Sequence, residues 1–157
     1  MTRIFTFILS VVFCFMAAAK TSNEVIRDIR ANNKAFTIRL NRLAIALLPG
    51  LRDGIWKSAA SNIHSGTIVM VDGGGEDTKK KFLKSVSQLD TCTYQPLVSV
   101  NDADGEAVQM FGRMKNESIR ELLIVVASDG DCTLIRLKGK ITKAGIKNLI
   151  RIKNRNK

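Results

Sequence analysis

Apolar residues along this chain recur first at helical and then at strand spacing. Val25, Ile26 and Ile29 share one side of a helical projection, with Glu24, Arg27, Asp28 and Arg30 opposite, which predicts a short amphipathic helix over 23–32 capped by Asn23. The period then falls to two, because Phe36, Ile38 and Leu40 alternate with Thr37, Arg39 and Asn41. Residues 43–48 are apolar throughout until Pro49 and Gly50 break the run. A half-buried strand followed by an apolar segment satisfies this pattern, and so does one helix over 35–48. A further helix is expected over 51–62, with Ile55, Trp56, Ala59, Ala60 and Ile63 inward. A compact strand over 67–71 follows, and then a glycine loop at 72–75. A helix over 78–89 turns Phe82, Leu83 and Val86 inward and Lys79, Lys80, Lys81 and Lys84 outward.

From residue 93 onward the chain reads as strands over 94–100, 106–114, 119–127 and 133–138. Asp104-Gly105 and Asp129-Gly130 are strong hairpin signals, and Lys115-Asn116-Glu117 is a weaker one. Connections this short predict an antiparallel meander. A closing helix over 142–152 carries Ile146, Leu149 and Ile150 at core spacing. The fold class is therefore α+β: a four-stranded antiparallel meander in the C-terminal half, with one or two further strands and helices packed on the sheet.

The first nineteen residues differ in kind. Arg3 precedes an uncharged apolar stretch from Ile4 to Met16, and Ala17, Ala18 and Ala19 offer the small side chains of a cleavage site. The apolar run, about 16 residues, is shorter than the roughly 20 that span a bilayer. The expectation is a signal peptide over 1–19 and a single exported domain over 20–157, periplasmic or extracellular, with no transmembrane anchor after cleavage. Cys14 follows Phe13, which does not suit lipidation. Cys92 and Cys132 remain in a compartment that permits disulfides, and both a bridge and two separate thiols are open.

The order of elements resembles an exported bacterial family, domain of unknown function 4252. The resemblance is carried by the strand Thr67 to Val71, by Tyr94 with Val98 to Asp102, by Val108 to Met114, by Ile119 to Val126, and by Thr133 to Gly139 leading into Ile141. It covers most of the chain beyond the leader. It implies export, in agreement with the leader, and it brings no catalytic residue, because no activity is attached to the family. The basic C-terminus departs from the family's acidic-to-neutral pattern.

Charge sharpens the picture. The chain carries 25 Lys plus Arg against 14 Asp plus Glu, a net +11. From Thr133 onward there are only basic charges. On a helix from residue 142, Lys143, Lys147 and Arg151 form one cationic stripe, which with Lys140 and Lys153 suits an anionic lipid or glycan surface. An envelope protein is the other partner class considered. Nucleic acid is disfavoured by export and by a single Tyr and a single Trp for stacking.

Other motifs weaken on inspection. The stretch from Asp72 to Thr78 matches neither dinucleotide nor P-loop spacing, and its acids would repel phosphate. Asn101 to Glu106 places its glycine too early for a calcium loop. His64, the only histidine, falls at the expected end of a helix. No catalytic residue, metal or cofactor is expected. The function expected is a non-enzymatic binding or interaction domain of the cell envelope. The alternative is a small hydrolytic or ligand-processing enzyme using the loops at 72–78 and 101–106.

Overall fold

The computed structural model describes residues 19–47 and 62–142. The expected leader lies outside these residues, as do nearly all of the helices expected over 51–62 and 142–152. The elements are α1 (Ser22–Asn32), β1 (Ala35–Asn41), α2 (Arg42–Leu47), β2 (Ile63–Asp72), α3 (Gly75–Ser87), β3 (Gln95–Asn101), β4 (Ala107–Lys115), β5 (Ser118–Ala127) and β6 (Asp131–Ile141). The six strands form one sheet in the order β1-β2-β6-β5-β4-β3, and all neighbours are antiparallel. The meander β3 to β6 is present, with β1 and β2 added to its β6 edge. Residues 35–41 are a strand and 42–47 a short helix, which decides between the two patterns open for that segment.

Several boundaries differ from the expectations. The cap of α1 is Thr21: its side chain and that of Glu24 satisfy each other's backbone amides in a capping box. Asn23 instead accepts a hydrogen bond from Arg136. The segment from Asn62 to Gly66, read as a helix end, opens β2, because β6 continues far enough to pair Ile63 with Gly139 and Ser65 with Lys138. At the β4–β5 turn, Asn116 and Glu117 both adopt positive φ, 49° and 61°, as a two-residue turn matched to strand twist requires.

One face of the sheet carries α1 and α3. Val25, Ile26 and Ile29 of α1 and Phe82 and Val86 of α3 pack on Val69, Val71, Leu123, Val125, Ala127, Cys132 and Leu134. The opposite face is apolar across every strand. Register places Ile38, Ile68, Ile135, Ile124, Met110 and Val98 in one continuous row. Among the described residues only α2 belongs to this side, where Ile45 joins Ile63, Ile119, Leu122 and Ile141 at one corner. Phe36, at the far end of this face, is 63% exposed. The two-sided apolar character of β5 explains why its sequence runs nearly unbroken from Leu122 to Ala127.

Phe82 is fully buried at the centre of the helix–sheet layer. Phe82→Ala is expected to lower unfolding stability by about 3–5 kcal/mol in urea titration. A second outcome concerns acid. Hydrogen bonds from the Thr21 backbone and side chain hold the Glu24 carboxyl below its ordinary value. A depressed carboxylate stabilises the fold above its unfolded pKa, and that contribution disappears as pH falls through the folded value. Thr21→Ala should therefore cost about 1 kcal/mol near neutrality. The difference from the parent should shrink in urea titrations repeated below about pH 4.

Candidate functional site

Irregularities of the sheet collect at one end of it. Register shifts occur between Ile63 and Ser65 in β2, between Arg113 and Met114 where β4 meets β5, and between Ile119 and Glu121 where β5 meets β6. The residues thrown out of register are His64, Arg120 and the pair Gly139-Lys140. Bulges of this kind bend strands and re-aim side chains. Gly139 is required there, because a Cβ at that position would lie 2.2 Å from the Asn62 carbonyl oxygen. That same oxygen accepts the Lys140 amide at 2.9 Å, which fixes the approach of the two chains.

These bulges open a cleft of about 790 Å³. Its walls carry Arg113 and Lys115 from β4, Arg120 from β5, and Lys138 and Lys140 from β6, together with His64 and Met114. A turn after α3 supplies Cys92 and Thr93, and the start of β3 supplies Gln95. That turn is held by Asp90, whose carboxylate accepts the Thr93 hydroxyl and the Cys92 amide, and these bonds lower its pKa. Among the described residues no carboxylate lines the cleft. Acids concentrate at the other end of the strands: Asp72, Glu76, Asp77, Asp104, Asp129 and Asp131 flank the hairpin tips and the start of α3.

Beneath the cleft lies one buried acid. Glu121 is 2% exposed and is flanked in the register by Arg113 on β4 and Lys138 on β6. Its carboxylate accepts the Ser22 hydroxyl and the Tyr94 hydroxyl, the latter at 3.5 Å, and pairs with Arg113, whose Nε lies 3.4 Å away. Arg136 extends the network, donating to the Ser22 Oγ at 3.4 Å and the Thr67 Oγ1 at 3.2 Å. Cationic walls therefore rest on a single internal countercharge. Arg120 lacks even that: its Nε is enclosed and has no hydrogen-bond partner among the described residues.

The model of the family described as Domain of unknown function (DUF4252) matches residues 30–149. The chain belongs to this family. The matched region holds all six strands, α3 and every residue named in the cleft. Neither the curated proteins nor the solved structures gave a match. Family membership thus names a fold unit without naming a chemistry, and the site has to be read from its own residues.

Of the cationic residues picked out in sequence, Lys140 lines this cleft, while Lys143, Lys147, Arg151 and Lys153 lie outside the described residues. Arg113, Lys115, Arg120 and Lys138 were not singled out as a site, since they are far apart in sequence or sit inside strands. One signal was available: Arg120-Glu121 is a charged pair within an otherwise apolar strand. The two loops of the enzymatic alternative lie at the opposite, acidic end. There Lys79 donates to the Gly105 carbonyl and to Asp129 Oδ1, the latter at 2.8 Å, tying α3 to both hairpins. Among the described residues no helix is long and apolar enough to cross a membrane.

Cys92 and Cys132 are free thiols. Cys92 lines the cleft, whereas Cys132 is buried at the first turn of β6, opposite Val71 and Ala127. Six residues of β6 separate Cys132 from Lys138, on the order of 20 Å, against the roughly 7 Å within which two cysteines can be bridged. The possible bridge is therefore not the arrangement of this fold. Burial pushes the Cys132 thiol pKa up, further suppressing its thiolate. Of the two described cysteines, an aromatic disulfide reagent should label Cys92 in the native chain and Cys132 only on unfolding. Peptide mapping of the labelled chain distinguishes the two.

Proposed function

We propose that this protein is a non-enzymatic domain exported to the cell envelope, where it binds an anionic lipid surface through the basic cleft. The carrying observation is a concave wall of Arg113, Lys115, Arg120, Lys138 and Lys140, with no lining carboxylate among the described residues. Such a wall creates a positive potential that only an anion relieves. Acids are more numerous at the hairpin end than at the cleft end, where Asp90 and Glu117 stand, so an anionic surface would favour the cleft end. Support for export comes from the leader: Arg3, the uncharged stretch to Met16, and the three alanines before Lys20. The sequence after Thr142 holds basic residues and no acid, which adds to the chain's attraction for an anionic surface.

The contact needs no nucleophile or base. Guanidinium, ammonium, amide and hydroxyl groups in the cleft are suited to holding an anion in place.

Vesicle co-sedimentation tests the proposal. The chain should bind phosphatidylglycerol vesicles and ignore phosphatidylcholine vesicles, with affinity falling as salt rises. Replacing Lys138 and Lys140 by Gln should weaken binding by about thirtyfold, at about 1 kcal/mol for each lysine near a charged surface. Equal binding to neutral and anionic vesicles would remove the proposal's basis.

A further inference from the structure

The reading above requires only a positive end. Arg120 indicates something more specific. The bulge in β5 turns it out of the ladder, yet its Nε is enclosed and unpartnered among the described residues. A buried N–H without an acceptor is uncommon in folded proteins and calls for a missing partner. A diffuse electrostatic patch does not need such a group, since its cations are hydrated and mobile. Arg120 lines the cleft, so an acceptor placed there would meet the exposed part of its guanidinium and would complete the enclosed Nε only with a movement of the side chain.

The neighbouring guanidinium is also held in place. Arg113 forms an ion pair with Glu121, its Nε 3.4 Å from Oε2, and Glu121 is itself anchored by Ser22 and Tyr94. A carboxylate buried behind the wall thus orients one arginine and leaves the wall itself cationic. Two guanidinium groups on adjacent strands, with Lys138 and Lys140 beside them, outnumber the single charge of a carboxylate or a phosphodiester. A phosphate monoester, with a charge of about −1.5 to −2 at neutral pH and three strong acceptor oxygens, matches that surplus. Arginine forks suit such oxygens in a way lysine cannot reproduce. The cleft volume of about 790 Å³ is also within the range of small-ligand sites.

We infer that the cleft is a built receptor for a phosphate monoester, with Arg120 and Arg113 as the oriented donors and Glu121 as the residue that positions Arg113. This deepens the proposed function and rests on the cleft being the contact surface. The same chemistry occurs on a lipid headgroup and on a soluble phosphate, so the test carries both.

Charge-conserving variants separate a built site from a diffuse one. Glycerol phosphate is titrated into the chain by calorimetry. Vesicles of phosphatidic acid, a monoester, are compared with phosphatidylglycerol, a diester, by co-sedimentation. Arg120→Lys should weaken glycerol phosphate binding about tenfold or more, the size of one lost charge-assisted hydrogen bond. It should also abolish any preference for phosphatidic acid while leaving phosphatidylglycerol binding in place. Arg113→Lys should act in the same direction and provides a second reading if Arg120→Lys alters the thermal melt. A preference expressed only on vesicles assigns the lipid headgroup as source, and saturable binding of glycerol phosphate assigns the soluble one. If both variants equal the parent with both probes, the built site is refuted, while salt-sensitive vesicle binding lost in the Lys138 and Lys140 variant would still stand. If no anionic vesicle is bound at all, the proposed function fails first.

Discussion

The pairing of β6 on both edges is the constraint on which the rest of the structure depends. This last strand enters between β2 and β5 and runs in register with β2 from Asp72–Asp131 to Ile63–Gly139 and with β5 from Ala127–Cys132 to Ile119–Ile141. Without it the β1–β2 pair and the β3–β5 meander would be two small sheets with four open edges between them. Each would be too narrow to bury α1 and α3 together. With it, Val69, Leu134 and Val125 fall in one row beneath the helices, and Phe82 closes the layer. The pairing joins strands far apart in sequence, so loop closure has to precede most of the sheet's stabilisation.

The same strand creates the site. Perfect ladders to the end of β2, β5 and β6 would point alternate side chains up and down and leave no hollow. The register shifts at His64, Arg120 and Gly139-Lys140 break that alternation where the strands end, and the missing side chain at Gly139 lets β2 come close. Cations that would otherwise spread over two faces collect around one cleft. Glu121 makes this tolerable. It is a buried carboxylate that two hydroxyls hydrogen-bond and Arg113 pairs with, and it offsets part of the repulsion among Arg113, Lys138 and Arg136. Removing its partners is costly, because the buried carboxylate is then left uncompensated, whereas the half-exposed Arg113 keeps its access to water.

Charge along the strand direction follows from turn chemistry. Tight hairpins favour Asp and Gly at their tips, and the tips at Asp104-Gly105 and Asp129-Gly130 lie at the same end as the acidic start of α3. Glu76 and Asp77 there also suit the positive end of a helix. The acidic end is thus explained by local structure alone. The basic end has no such explanation in turns or caps, which is why it carries the functional reading.

Local pattern determined much of this fold. Amphipathic spacing marked α1 and α3 and the residues they bury, and period-two alternation with Asp-Gly turns marked the meander, because neighbours in sequence set those signals. The resemblance to the unknown-function family held for the same reason, since it rested on the ordered run of strands. Tertiary structure decided what depends on distant partners. It chose strand over helix for residues 35–41 by pairing them with β2, and it extended β2 back through His64 by pairing it with β6. It also moved the cap of α1 to Thr21, leaving Asn23 to Arg136, and parted Cys92 from Cys132. The cleft belongs wholly to this second group. Arg113, Arg120 and Lys138 are ordinary strand cations in sequence and Lys140 stands out there only as part of the basic C-terminus, and only bulges, which arise from the mismatch of two strands and not from either alone, bring them around one space.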